Sequence, residues 1–240
     1  MNIKNILKES LTYLAKLSSN TIFDENIFIP DLYPNKILME DSNLDKLNNL
    51  EIENRLNLFT QLYVINNKTT NYQKTIEFLT NYNYLFSHEK RILSFDLNSK
   101  TIPISNNSMD IRYIGSKDDI EKWLTITNKN TLFNLDFSRI FNLSKFDCIE
   151  PILIYKNKKP ILSSLFYIYE ESLNIHFIKS LDNLRNKELK FFLIKEAYAF
   201  AKREKLKNII LLSNEKNLEF FKSIGFEEQS NIMIFIKTIK

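Results

Sequence analysis

Apolar residues along this chain fall into two rhythms, and the change from one to the other marks most of its elements. Residues 3–17 set Ile3, Ile6, Leu7, Leu11, Leu14 and Leu17 three or four positions apart, which predicts an opening amphipathic helix. Residues 27–34 hold two prolines and read as a loop, 35–40 as a short strand and 43–60 as two short helices. QLYVIN at 61–66 predicts a strand, 71–81 a helix on the spacing of Gln73, Ile76 and Leu79, and 84–97 a strand or hairpin with a charged break at 88–91. The segment NSKTIPISNNS, 98–108, has no apolar period and collects Pro, Ser and Asn. It is placed as the boundary between a smaller N-terminal α/β domain over 1–100 and a second domain over 109–240.

The second domain opens on MDIRYIG, 109–115, which alternates as a strand should, and Ser116 then suits the N-cap of a helix carrying Trp123 and Leu124. A helix-rich stretch continues to about residue 146. Three β-rich runs follow at 151–156, 160–170 and 173–181, with connections short enough for antiparallel hairpins. Residues 187–205 repeat apolar side chains at Leu189, Phe192, Leu193, Ala197, Phe200 and Ala201, a helical period. The strand NIILLS at 208–213, a helix over 215–223, Gly225 as its stop and a strand at 231–237 complete the chain. The order β, α, β, β, β, α, β, α, β predicts a mixed, mostly antiparallel sheet flanked by helices, and not a doubly wound parallel one.

Composition narrows the function. The single cysteine, Cys148, excludes an intrachain disulfide and a multi-thiolate metal site, and no metal is expected. No stretch approaches ~18 uninterrupted apolar residues, and the N-terminus lacks the apolar run of a signal peptide, so a cytoplasmic protein without a membrane partner is expected. With only Gly115 and Gly225, the chain holds neither a P-loop nor a Rossmann fingerprint. Residues 1–108 carry 11 Lys+Arg against 12 Asp+Glu; subtraction from the totals of 33 and 29 leaves 22 against 17 for 109–240. That basic bias suits an anionic ligand, although solvated surface accounts for most such excesses. No RNP-like or basic-aromatic motif appears, so nucleic acid is not an expected partner.

The sequence from Ile178 to Phe226, IKSLDNLRNKELKFFLIKEAYAFAKREKLKNIILLSNEKNLEFFKSIGF, resembles the cofactor-binding half of the GNAT superfamily of acyl-CoA N-acyltransferases. In that family a loop of the form Arg/Gln-x-x-Gly-x-Gly/Ala holds the coenzyme A pyrophosphate. The matching residues here are Arg185, Asn186, Lys187, Glu188, Leu189 and Lys190. The arginine is kept and both glycines are replaced, by Glu188 and Lys190. Asn214 and the Gly225-Phe226 pair match further downstream, while the family's tyrosine general acid is Phe221. Residues 31–97 read either as a second, shortened copy of the same fold, with Asn83 in the glycine's place, or as an unrelated helical cap.

The resemblance implies acetyl-CoA, or another acyl-CoA, as acyl donor and an amine on a small molecule or a protein as acceptor. It places the thioester and pantetheine along the main chain of Ile178, Lys179 and Ser180. Attack by the amine requires a base. His176 would share a strand face with Ile178 if no bulge intervened, and an imidazole of ordinary pKa could then serve. Glu170 and Glu171 are rival bases, placed by the pattern in a turn. Two other readings stay open: a catalytically inactive binding or regulatory module, favoured by Glu188, Lys190 and Phe221, and a transferase of the same fold using an aminoacyl-tRNA donor.

Overall fold

The computed structural model describes residues 22–24, 27–28, 36–40, 61–65, 72–102, 109–129, 135–181 and 187–237. The helices expected over 3–17 and 43–60 lie outside the described residues, as does most of the expected domain boundary. The N-terminal stretch forms β1 (Ile22–Asp24), β2 (Ile27–Phe28), β3 (Lys36–Glu40), β4 (Gln61–Ile65), α1 (Tyr72–Asn81) and β5 (Tyr84–Asp96). The rest forms β6 (Met109–Tyr113), α2 (Lys117–Thr127), α3 (Phe137–Leu143), β7 (Ile149–Lys156), β8 (Lys159–Tyr169), β9 (Ser172–Ser180), α4 (Lys187–Arg203), β10 (Asn208–Ser213), α5 (Glu215–Ser223) and β11 (Glu227–Lys237). Two elements differ from the sequence reading. β2 falls where a loop is expected, because two residues are too few to show alternation, and β5 runs unbroken through its charged stretch.

The chain gathers into two compact units whose segments alternate along the sequence. One takes Leu93–Leu212 and Glu219–Glu227; the other takes the described residues up to Ile92, Ser213–Leu218 and those from Glu228 on. In the first unit the strand order is β6-β7-β8-β9-β10 followed by the end of β5. β6, β7, β8 and β9 pair antiparallel in succession, and β10 runs parallel to β9. The buried face of α4 carries all six apolar residues that its period selects, and its Phe200 meets Phe166 of β8 with ring centroids 5.4 Å apart. Ser116 caps α2 by accepting the Asp119 N–H at 3.2 Å. On the opposite sheet face, the hydroxyls of Thr127 in α2 and Ser163 in β8 share a 2.7 Å hydrogen bond.

The second unit has the strand order β1-β2-β3-β4-β11, with the first part of β5 beyond β11. β3 runs parallel to β4, as β9 does to β10. A helix follows each parallel pair, then a residue with left-handed backbone, then a strand. Asn83, with φ of 63°, ends α1 before β5, and Gly225, with φ of 102°, ends α5 before β11. The carbonyls of Lys222 and Phe221 accept the N–H groups of Gly225 and Phe226, both at 3.0 Å, which closes the end of α5. A Cβ on Gly225 would stand 3.1 Å from the Phe95 ring, so glycine is required there by packing as well as by backbone angle.

Candidate active site at the β9 bulge

β9 does not keep one register against β8. Leu165 pairs with His176 and Ser163 pairs with Lys179, so Ser164 alone stands opposite both Phe177 and Ile178. This is a β-bulge, with one extra residue on β9, and Phe177 takes φ of 51° to accommodate it. A phenylalanine in left-handed backbone carries a strain of about 1 kcal/mol or more.

The bulge corrects the alternation drawn from sequence. His176 and Lys179 now lie on one face, with Leu165 and Ser163, while Ile178 lies on the other with Ser180. His176 and Ile178 therefore do not share a face. The His176 side chain is 5% exposed, stands 6.3 Å from the Tyr167 ring, and its Nε2 has no hydrogen-bond partner among the described residues. Burial pushes the imidazole pKa down to about 4, because the charged form would lose its hydration. The ordinary pKa expected from sequence does not apply.

The same stretch of β9 loses its other neighbour. β10 pairs with β9 from Asn208↔Ser172 only as far as Leu211↔Ile175, although the two strands continue to Ser213 and Ser180. From His176 on, the edge of β9 that faced β10 is no longer paired to it, and main-chain N–H and C=O groups on that edge can take an extended ligand. Ile178, Lys179 and Ser180 are half-buried there. The Ser180 hydroxyl is a buried polar atom with no partner among the described residues.

Arg185 and Asn186 lie outside the described residues. The first turn of α4 presents Lys187 and Glu188 to solvent and buries Leu189 and Lys190. Glu188 reaches toward Lys156 at 3.6 Å. The Lys190 ammonium sits 4.6 Å from the centre of the Phe220 ring, with its pKa lowered by burial and then by the charge of Lys187. Phe221 is buried in an aromatic cluster, 5.3 Å from Phe220 and 5.6 Å from Phe226 between ring centroids. Asn214 is exposed, and its carbonyl accepts the Ser213 hydroxyl at 2.9 Å. Glu170 and Glu171 stand in the β8–β9 turn, about 15 Å of strand from His176, and Glu171 is paired with Lys207 at 2.6 Å.

Three site features escaped the sequence reading: the bulge itself, Trp123 and Ser164. A non-glycine bulge has no composition signature. Ser163-Ser164 inside an otherwise apolar strand was the one available hint. Among the described residues no cluster of three or more His, Cys, Asp or Glu could hold a metal ion, and no helix is long and apolar enough to cross a membrane.

A bulged strand that parts from its parallel neighbour just before a long helix, within a mixed and mostly antiparallel sheet, defines the GNAT fold, and this chain has it. A GCN5-related N-acetyltransferase from Kribbella flavida matches with a TM-score of 0.64 at 10% identity, over 97% of this chain and 95% of that one. A second GCN5-related N-acetyltransferase, from Sphaerobacter thermophilus, matches with a TM-score of 0.61 at 10% identity, over 85% of this chain and 73% of that one. A tandem GNAT protein from the clavulanic acid biosynthesis pathway matches with a TM-score of 0.56 at 8% identity, over 87% and 76% of the two chains. No protein-family model and no curated protein matches the sequence. The likeness lies in the fold.

Proposed function

We propose that the protein is an N-acyltransferase that moves an acetyl or other short acyl group from coenzyme A to a primary amine by direct attack. The observation that carries this reading is the edge of β9 from His176 to Ser180, released from β10 at the bulge. The acyl-CoA supplies the activated thioester. Main chain at Ile178, Lys179 and Ser180 holds and orients the extended donor, and the Ser180 hydroxyl, which has no partner among the described residues, gains one. N–H groups in the first turn of α4, with the charges of Lys187 and Lys190, favour the anionic end. Glu188 opposes it, and the approach of Glu188 to Lys156 draws that carboxylate toward a cation.

His176 is the base in this reading: uncharged above about pH 4, it accepts, through water, the proton that the amine nitrogen releases as it bonds to the thioester carbonyl, and its low pKa makes it a weak acceptor. Phe221 cannot donate a proton to the departing thiolate, and a thiol of modest pKa leaves protonation to water. The reading of the chain as an inactive module draws on the same Phe221 and on the buried Lys190.

Titration calorimetry with acetyl-CoA tests the assignment. One equivalent per chain is expected, because β3 and β4 stay paired along all five described residues of each, and the released β9 edge has no counterpart among the described residues. Absence of binding, together with no transfer to any amine in a broad screen, would replace the enzymatic reading with the inactive module. Glu188→Gln removes one negative charge near the anionic end and is expected to tighten binding about threefold at low salt. Unchanged or weaker binding would move the anionic end of the donor away from α4.

A further inference from the structure

We infer that Ser164 and Trp123 are positioning residues that hold the β9 bulge in its ligand-binding form, an inference that rests on the acyl-CoA reading of the β9 edge. Phe177 sits in backbone that suits glycine better than any L side chain. Without restraint, β9 would relax toward regular pairing, and a one-residue slip would reverse the faces of Ile178, Lys179 and Ser180.

Two side-chain hydrogen bonds oppose that slip, and both involve Ser164, the β8 residue that faces the extra residue. The Trp123 indole N–H donates to the Ser164 carbonyl at 2.9 Å, and the Ser164 hydroxyl donates to the His176 carbonyl at 2.9 Å. Trp123 and Ser164 are both 0% exposed, so water cannot substitute for either bond. The Trp123 ring also meets the Phe177 ring edge-on, 5.9 Å between centroids at 72°. One helix side chain thus anchors the strand opposite the bulge and packs on the strained residue itself. Helix α2, β8 and the bulge form a continuous chain of contacts ending at the main chain proposed to bind the donor.

The test uses the full chain with two readouts: amide hydrogen exchange at residues 175–180, and acetyl-CoA affinity by titration calorimetry. Ser164→Ala is expected to speed exchange at 175–180 about tenfold while leaving α4 unchanged, and to weaken acetyl-CoA binding by roughly three- to tenfold. Trp123→Phe keeps a ring against Phe177 and loses the donor, and a smaller change of the same kind is expected. Phe177→Gly added to Ser164→Ala should bring affinity back to within about twofold of wild type, because glycine accepts the left-handed angle without the strain that drives the bulge to relax. A serine needed only for general stability would not be rescued in this way. Unchanged exchange in both single variants, or a double variant that binds no better than Ser164→Ala, overturns the inference. A wild-type protein that binds no acetyl-CoA overturns the acyl-CoA reading instead, and the exchange measurements still decide whether Ser164 and Trp123 hold the bulge.

Discussion

Lowering the pH from 6.5 to 4 is expected to remove about 3 kcal/mol of stability through His176 alone. The imidazole takes up a proton near pH 6.5 in the unfolded chain but only near pH 4 in the folded protein, where burial disfavours its charged form. Between those values the unfolded chain binds more protons. The stabilising contribution is therefore complete above about pH 6.5 and is lost as the pH falls to about 4. Urea unfolding of wild type and His176→Ala at pH 7.5 and 4 isolates the effect, since the other titrating groups remain in both proteins. His88, shifted the same way by burial and then by Lys90, is among those shared groups. An equal loss of stability in the two proteins would show that His176 is solvated and charges normally.

His176→Ala is also expected to lower turnover about tenfold, less than for a base of ordinary pKa, while leaving acetyl-CoA affinity nearly unchanged, because main chain and not this side chain holds the donor. The buried ring should place its own rise in the rate near pH 4 and add no inflection between about pH 5 and 8, following its depressed pKa. The ordinary histidine pKa expected from sequence would instead put the rise at about pH 6 to 7. A profile centred there, or full activity in His176→Ala, would transfer the base role to another group or to ordered water. Glu170 and Glu171 are poorly placed to inherit it, being confined to the far turn of the hairpin.

The pattern of apolar positions was sufficient for most elements between residues 72 and 237. Alternation marked β7, β8 and β9 to within a few residues, and the helical period selected six of the eight buried residues of α4, missing Lys190 and Ile194. These features are legible because they depend on near-neighbour spacing and on which side of an element meets water. The left-handed end of α5 was legible too, since few residues other than glycine accept φ of 102°. Charge mattered less: the basic excess of the C-terminal half gave no position for a ligand, and the contacts of Lys190 with Phe220 and of Glu188 with Lys156 followed only from packing.

What the sequence by itself determined is the fold class, the order of the elements from β6 onward and most of the buried face of α4, all consequences of local periodicity. Tertiary structure alone decided that β11, last in the chain, pairs with β4, since strand partners are chosen across long sequence separations. It also decided that β9 bulges at Phe177, which moved His176 off the face of Ile178. No residue type announces a bulge at phenylalanine. The strained angle persists because a tryptophan 54 positions earlier in the chain and a serine on the neighbouring strand meet it in the folded interior, and that meeting has no local signature.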